Sequence, residues 1–221
     1  MRAIVIPALF LAAFAPLSAG AARPEPAASP GCPGARPTPP APVAGAEPVC
    51  EWCGAAEAPA RLTSEVRLAP PGEAGEPLFI AGRVLRADGR TPAAGVLLYL
   101  YQTNAAGAYP KRGDETGNGR RHGYLRGWLR TDARGNYCVA TIRPGGHSRH
   151  PDPAHIHATV TEPGQAEGYI DEFVFADDPR VTPAMRAKPR PRGGSGVVRL
   201  VRTPDGVWRG ERTIVLRDLG R

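Results

Sequence analysis

The sequence predicts an all-β protein, an antiparallel β-sandwich with long irregular loops. Short runs of apolar or alternating residues recur along the chain between turn signals, a pattern typical of sandwiches and barrels. The 221 residues include 27 glycines and 26 prolines but only 6% aromatic residues, which favours short strands joined by turns over long helices. The eight candidate strands cover residues 78–85, 96–102, 125–131, 136–142, 156–161, 169–175, 197–202 and 207–216.

The connections between these candidate strands carry turn chemistry. Corners that contain aspartate and glycine lie at residues 87–90, 132–135 and 204–206, and both residue types suit the backbone of tight turns. Residues 177–188 are the one stretch that could form a helical turn, but two prolines interrupt it. No helix is therefore predicted.

The N-terminal part of the chain is predicted to precede the folded domain. Residues 1–22 combine a charged start, a short apolar stretch and small residues, which is the pattern of a signal peptide. The apolar stretch of about 15 residues is shorter than the roughly 20 that a membrane-spanning helix needs. We expect export to the periplasm or outside the cell, a disordered Ala/Pro/Gly-rich linker at residues 23–49, and one domain at residues 50–221.

Four cysteines, Cys32, Cys50, Cys53 and Cys138, form an even set. In an exported chain they are expected to pair as structural disulfides, with three connectivities open. The segment from Cys50 to Cys53 could instead be a redox motif or half of a zinc site, but no second CxxC and no strand-to-helix context accompanies it. We therefore predict that Cys50 and Cys53 lie outside the catalytic site.

The formal charge of +7 raises the question of a nucleic-acid partner. The arginines are scattered, and the densest basic runs lack the interleaved aromatic residues on which bases stack. No segment after the N-terminal apolar stretch is apolar enough to span a bilayer. We expect no nucleic-acid partner, no stable membrane insertion, and a basic surface that attracts anionic aromatic molecules.

The sharpest local feature is the pair His155 and His157 on a candidate strand. Residues two apart on a strand project from the same face, so both imidazoles can bind one metal ion. A pair of surface histidines is the alternative interpretation. His147 and His150 lie just upstream, and imidazole suits iron, copper, nickel and zinc alike. The histidine-rich segment is therefore a candidate metal site.

An ordered series of motifs surrounds this pair. It includes Tyr-Gln-Thr-Asn at residues 101–104, Gly-Ala-Tyr at 107–109, Thr-Ile-Arg-Pro-Gly at 141–145, Pro-Ala-His-Ile-His at 153–157 and Phe-Ala-Asp-Asp-Pro at 175–179. Any one of these motifs is weak, but the ordered set is specific. In this set the chain resembles the intradiol ring-cleavage dioxygenases, the family that includes catechol and protocatechuate dioxygenases.

The resemblance implies a β-sandwich that holds a ferric, non-haem iron through two tyrosinates and two histidines. Tyr109 falls on the first tyrosine ligand, and His155 and His157 fall on the two histidine ligands. Phenolate is a hard anionic ligand that stabilises the ferric state, and a nearby cation lowers the pKa of a tyrosine. Where the family has its second tyrosine this chain has His147, so the expected ligand set is one tyrosine and three histidines.

Two further positions near the expected substrate depart from the family. The family commonly has an arginine shortly before the histidine pair, where this chain has Asp152, with Arg149 as the substitute. It has a glutamine at the position of Glu172, whose carboxylate could act as a base or could pair with a basic neighbour. Arg149 and Glu172 are therefore the candidate catalytic residues.

The activity that the resemblance implies is cleavage of a catechol-type ring between its two hydroxyl-bearing carbons, giving a muconate-type diacid. The expected partners are a small catechol-type substrate and dioxygen, with a homo-oligomer as the candidate assembly. The alternative is an exported β-sandwich that binds copper or zinc without dioxygenase turnover, which the histidine-rich segment suits equally well.

Overall fold

The computed structural model describes residues 32–41, 50–147, 150–189 and 191–220. Within them, two β-sheets pack face to face around an apolar core, as predicted for a sandwich. The strands are β1 (Glu65–Arg67), β2 (Pro77–Leu85), β3 (Leu97–Gln102), β4 (Arg126–Arg130), β5 (Asn136–Ile142), β6 (His155–Thr161), β7 (Gly168–Tyr169), β8 (Phe173–Phe175), β9 (Val197–Val198), β10 (Leu200–Arg202) and β11 (Trp208–Val215).

One sheet has the strand order β1-β5-β2-β11-β10, and the other has the order β4-β3-β6-β8-β9 with β7 beside β6. Most neighbouring strands run antiparallel. Three pairs run parallel: β1 with β5, β2 with β11, and β8 with β9. The all-β sandwich is confirmed, but its sheets are mixed rather than purely antiparallel. The parallel pairs could not be predicted, because residue patterns do not reveal the direction of a partner strand that is distant in sequence.

The alternation of side chains on β3 and β6 decides where the candidate site lies. Leu98 of β3 and Ile156 of β6 pack into the core between the sheets. Tyr101 of β3 belongs to a separate cluster on the opposite face of the same sheet. His155 and His157 flank Ile156, so they project from that outer face as well. The candidate site therefore lies outside the sandwich, on the six-stranded sheet.

Every candidate strand contains strand residues, but two of them divide. The run at residues 169–175 becomes β7 and β8 on either side of Asp171, whose buried carboxylate accepts hydrogen bonds from Lys188 Nζ at 2.8 Å and Arg192 Nε at 3.1 Å. The run at residues 197–202 becomes β9 and β10, which belong to different sheets. β1 was not predicted, because three residues are too few to show alternation.

The prediction that no helical turn forms was wrong. Short helical segments are a 3₁₀ turn (Ala55–Glu57), α1 (Gly119–His122) and α2 (Pro183–Arg186). At α2, the Thr182 hydroxyl accepts a hydrogen bond from the backbone N–H of Met185 at 3.2 Å, which caps the turn. Pro183 occupies the first turn, where its missing N–H costs no helical hydrogen bond. The proline that seemed to interrupt a helix thus begins one.

Residues 32–41 were expected within the disordered linker, but they pack against the domain. Cys32 is buried and forms a disulfide with Cys138 of β5. The Thr38 hydroxyl accepts a hydrogen bond from the backbone N–H of Trp128 at 2.8 Å. The expectation of disorder is wrong for this segment. Its composition gives it little apolar surface to bury, but the Cys32–Cys138 disulfide ties it covalently to the sheet.

The second disulfide joins Cys50 and Cys53, so the structural pairing predicted for the four cysteines is confirmed with one of the three connectivities. The predicted signal peptide at residues 1–22 and the linker residues 23–31 and 42–49 lie outside the described residues. Among the helices that the structure does describe, none has the length and apolar character needed to cross a bilayer.

Candidate metal site and adjoining pocket

His155 and His157 of β6 form the centre of the candidate site. Their Nε2 atoms lie 2.9 Å apart, and their rings are inclined at 89°. Two imidazole nitrogens bound to one ion at about 2.1 Å and at right angles would lie about 3 Å apart. His155 Nδ1 donates a hydrogen bond to the carbonyl oxygen of Pro153 at 2.7 Å, so its Nε2 is an acceptor, and without metal it accepts from His157 Nε2. The pair has the spacing and orientation of two ligands that share an ion.

Tyr109 and His147 lie beside this pair on the loops that follow β3 and β5. The ring centroids of His147 and His155 are 5.8 Å apart, and those of Tyr109 and His147 are 5.2 Å apart. The structure therefore brings together in one cluster all four side chains that the sequence proposes as ligands.

The ends of β3 and β5 are tied by a buried side chain, which positions both loops. Gln102 Nε2 donates to the carbonyl oxygen of Ile142 at 3.0 Å, and Gln102 Oε1 accepts from the Thr141 hydroxyl at 2.9 Å. One residue further, the Thr103 hydroxyl donates to the carbonyl oxygen of Gly145 at 2.7 Å. The loops that carry Tyr109 and His147 thus leave the sandwich side by side.

Gly107 permits the closest approach of the two loops. Its φ of +77° lies in the left-handed region, and an added Cβ would lie 2.2 Å from the carbonyl oxygen of Gly146. Any other residue here would push the backbone before Tyr109 away from the backbone before His147.

Asp178 fixes the backbone immediately before His155. Its Oδ2 accepts a hydrogen bond from the N–H of Ala154, and its Oδ1 accepts one from the N–H of Arg180, both at 2.8 Å. This contact explains in physical terms why the Phe-Ala-Asp-Asp-Pro motif accompanies the histidine pair in the sequence.

Burial sets the protonation of the cluster in the absence of metal. Burial lowers the pKa of His147, and it holds the pKa of His157 well below its usual value. Burial raises the pKa of Tyr109 to about 12, and the carboxylates of Glu172 and Glu51 act in the same direction. An incoming metal ion would meet neutral imidazoles at His147 and His157 and a phenol that must first lose its proton.

The donor set depends on the phenol. Within the described ranges, no three histidine, cysteine, aspartate or glutamate side chains form a metal-binding group, so His147 does not stand at ligand distance together with His155 and His157. The fourth donor in the cluster is the Tyr109 hydroxyl, which becomes a hard anionic ligand once it ionises beside a cation. A phenolate with imidazoles fits ferric iron, and the residues present therefore fit the ion that the sequence predicts.

A pocket of about 550 Å³ adjoins the cluster, a volume in the range of small-molecule sites. The ring of Tyr101 lines it and stacks on His122 at 3.6 Å and on His157 at 4.5 Å between centroids. The other side chains that line this pocket include Glu51, Trp52, Tyr109, Arg121, Tyr169 and Glu172. The cysteines predicted to lie outside the site do not line it, but the two residues between them do.

His122 supports the wall of the pocket rather than offering a metal ligand. Its Nε2 donates to the carbonyl oxygen of Glu51 at 2.8 Å, so its Nδ1 accepts from the Tyr99 hydroxyl, also at 2.8 Å. Burial lowers the pKa of His122 to about 4. Sequence reasoning missed His122 and Tyr101; the alternation of β3, which puts Tyr101 on the face of the histidine pair, was the available signal.

A buried ion pair lies beneath the same wall. Arg126 Nη1 donates to Glu57 Oε2 at 2.7 Å, and each side chain is only 6% exposed. Glu57 also accepts a hydrogen bond from the N–H of Asn118 at 2.9 Å. The pair thereby joins the 3₁₀ turn to α1, and it holds two otherwise irregular segments against the outer face of the sheet.

A family model described as Dioxygenase matches residues 55–206, which is more than half of the chain. The chain belongs to the intradiol ring-cleavage dioxygenase family. The matched segment of this chain includes β1 to β10 and all the residues of the candidate ligand cluster.

Two curated relatives carry the likeness at the level of sequence. The protocatechuate 3,4-dioxygenase beta chain of Burkholderia cepacia is 32% identical over 111 residues, which are 48% of this chain and 47% of that protein. The catechol 1,2-dioxygenase of Candida albicans is 33% identical over 102 residues, 39% of this chain and 32% of that protein. The chain therefore spans about half the length of such relatives or less.

Solved structures show the same fold. The dioxygenase domain of a dioxygenase and carbohydrate-binding protein fusion from Streptomyces sp. SirexAA-E aligns with a TM-score of 0.52 at 24% identity, over 82% of this chain and 98% of that chain. Catechol 1,2-dioxygenase from Pseudomonas arvilla C-1 aligns with a TM-score of 0.51 at 24% identity, over 73% of this chain and 58% of that chain. These likenesses concern the fold alone.

Of the two candidate catalytic residues of this intradiol family member, only Glu172 lies in the described part of the structure. Glu172 lines the pocket with its Oε1 3.8 Å from His157 Nδ1, and it forms no ion pair with a lysine or arginine in the described part of the chain. Arg149 lies outside the described residues. The carbonyl oxygen of Asp152, which stands where the family commonly has arginine, accepts from Arg180 Nη1 at 3.1 Å.

Proposed function

We propose that the chain is a non-haem iron dioxygenase that cleaves a catechol-type ring between its two hydroxyl-bearing carbons. The oxidant would be dioxygen and the product a muconate-type diacid. The observation that carries the proposal is the 2.9 Å separation of the Nε2 atoms of His155 and His157, beside Tyr109, in a member of this family. A purely structural sandwich has no need of two facing imidazoles next to a small-molecule pocket.

Four residues would hold a ferric ion: Tyr109, His147, His155 and His157. Bound there, iron would supply Lewis-acid activation of the two oxygens of a catechol and a site for reaction with dioxygen. Tyr109 contributes the negative charge that favours the ferric state. His147 contributes a neutral donor where the family has a second phenolate, so the site carries one more positive charge and its redox potential shifts upward.

The residues of the pocket would bind the ring and move its protons. The Trp52 ring provides apolar contact for a flat aromatic substrate and helps to exclude water from it. A catechol hydroxyl must lose its proton to bind as an anion, and the Glu172 carboxylate lines the pocket where it could accept that proton. We propose Glu172 as this base and Arg149 as a cation near the substrate.

The proposal extends to location and partners. The signal-peptide pattern of residues 1–22 and the two disulfides support export into an oxidising compartment. The partners would be a catechol-type molecule and dioxygen. Relatives named as alpha and beta chains of one enzyme support a test for self-association by light scattering at several protein concentrations.

The proposal is tested by His155→Ala and His157→Ala in the full-length, iron-loaded protein. Loss of either facing imidazole should reduce iron content by at least about tenfold and abolish oxygen uptake with catechol, because too few strong donors remain to compete with water. Iron is measured by elemental analysis, and the diacid product by mass spectrometry.

The matched control is His150→Ala. His150 is exposed and stands beside His147 at 6.1 Å between ring centroids, but it is not part of the proposed ligand set. This variant should retain iron and oxygen uptake. A wild-type protein that binds zinc or copper and takes up no oxygen with any catechol would contradict the proposal and favour metal binding without turnover.

A further inference from the structure

The loop closed by the Cys50–Cys53 disulfide places two side chains on the wall of the pocket. Glu51 and Trp52 lie between the cysteines, and both line the pocket. The carbonyl oxygen of Glu51 is held by the hydrogen bond from His122 Nε2 at 2.8 Å. The backbone of the loop is thus fixed, while the Glu51 carboxylate remains available to a molecule in the pocket.

The lining of the pocket carries more negative than positive charge. Glu51 and Glu172 contribute two carboxylates, whereas Arg121 is the only lysine or arginine among the lining residues that the structure describes. Across the described ranges, neither Glu51 nor Arg121 forms an ion pair with another side chain. A bound molecule therefore meets unpaired charge of both signs, from Glu51 and from Arg121, and Glu172 makes the described lining net negative.

The aromatic walls add to the preference for a cation. Trp52 and Tyr169 line the pocket with their ring centroids 5.1 Å apart. The Tyr169 ring carries the guanidinium of Arg192 at 4.4 Å from its centroid, and the charge of Arg192 is neutralised by Asp171 at 3.0 Å. Aromatic faces beside a carboxylate attract ammonium groups and repel carboxylates.

The positive charge of the whole chain does not reverse this local preference. The net charge of +7 is spread over the surface, and at physiological ionic strength the interaction between exposed charges decays over about 8 Å. Distant arginines therefore act mainly on the rate of encounter, whereas Glu51 and Glu172 act on a molecule that is already in the pocket.

We infer that the pocket prefers catechols whose side chain ends in an ammonium group over catechols whose side chain ends in a carboxylate, with Glu51 as the specificity-determining residue. The inference rests on the proposed function, because it names the substrate class of that same site. It also reverses the expectation, drawn from net charge alone, that the protein attracts anionic aromatic molecules.

The experiment uses two probes with the same two-carbon spacer and opposite charge: 4-(2-aminoethyl)catechol and 3-(3,4-dihydroxyphenyl)propionate. Their dissociation constants are measured by anaerobic calorimetry on the full-length, iron-loaded protein, and kcat/KM by oxygen uptake. We expect the cationic probe to bind at least about tenfold more tightly than the anionic one. Glu51→Gln should reduce that ratio by about tenfold, and Arg121→Gln should increase it.

The control is Glu211→Gln, which removes an exposed carboxylate from β11 in the other sheet and should leave the ratio unchanged. Equal binding of the two probes, or a ratio that Glu51→Gln does not change, would overturn the inference. Plain catechol separates the two levels. Cleavage of catechol without a charge preference rejects the inference alone, whereas a calorimetric preference without cleavage of any catechol rejects the proposed function.

Discussion

His147 is the residue at which this candidate site departs furthest from its family. Its ring lies 5.8 Å from that of His155 and 5.2 Å from that of Tyr109, but within the described residues the three histidines are not close enough to form a metal-binding group. It offers a neutral imidazole where the family has a phenolate. The proposed site thus has one anionic ligand instead of two, and its hold on ferric iron should be weaker.

Substituting His147→Tyr should strengthen that hold. A second phenolate adds one negative charge beside the ion, and we expect iron retention against a chelator and the rate of catechol cleavage to rise by about tenfold or more. The matched variant is His147→Ala, which removes the imidazole and adds no phenolate. If the two variants have the same spectrum, iron content and oxygen uptake as each other and as the wild type, His147 is not a ligand.

The candidate ligands could be proposed from the sequence because their signals are local. His155 and His157 are two residues apart on a strand, and Tyr109 and His147 occupy recognisable motif positions. Tyr101 could not be assigned a role in this way. Its contact with His157 depends on the register between β3 and β6, in which these two residues are direct neighbours, and register is a property of the folded sheet.

At the scale of elements, the site depends on two loops that leave adjacent strands and remain in contact. Gln102 bridges the strand ends, and the Gly107 backbone passes against Gly146. Neither contact involves a candidate ligand. The loops therefore set the distance between Tyr109 and the histidines without taking part in the chemistry.

Gly107→Ala should separate these loops. The added Cβ would lie 2.2 Å from a carbonyl oxygen at a φ of +77°, so we expect a loss of about 1–3 kcal/mol in unfolding free energy together with reduced iron content. The control is Gly89→Ala, where φ is +68° but no atom lies within 4 Å of the added Cβ. It should cost stability through strain alone and leave iron content unchanged. Equal iron loss in both variants would refute the role of the loop contact.

The strands were predictable where alternation extends over several residues, and less so elsewhere. The long strands β2, β3, β5, β6 and β11 agree with the candidate runs. The division of residues 169–175 was not predictable, because it follows from the buried contacts of Asp171 with two distant basic residues. The start of α2 at Pro183 was missed because a proline that ends one helix can equally begin another.

For the whole molecule, the buried neutral histidine makes stability depend on pH. The pKa of His122 is about 4 in the folded protein against 6.5 as its ordinary value. Between these values the unfolded chain binds a proton that the folded chain does not, so stability falls as pH decreases from about 6.5 to about 4. The contribution of His122 to this loss is about 3 kcal/mol, and the buried His157 adds to it in the same direction.

This dependence is measured by denaturant unfolding of the metal-free protein at several pH values. His122→Gln should be less stable at pH 7 than the wild type, because it loses the imidazole that bonds both the Tyr99 hydroxyl and the Glu51 carbonyl oxygen. The stability of the variant should fall less steeply as the pH decreases. If the variant has the same pH dependence as the wild type, the pKa of His122 in the folded protein is not lowered.

The whole molecule combines the sandwich of its family with a site on the outer face of one sheet, and we propose that this site binds ferric iron through Tyr109 and the facing histidines. The most direct measurement is metal analysis with a visible absorption spectrum on the natively loaded protein, beside Tyr109→Phe. We expect about one iron per chain and a visible tyrosinate-to-iron band that Tyr109→Phe loses while its fold is retained. Zinc or copper in place of iron, or a band that survives in Tyr109→Phe, would contradict it.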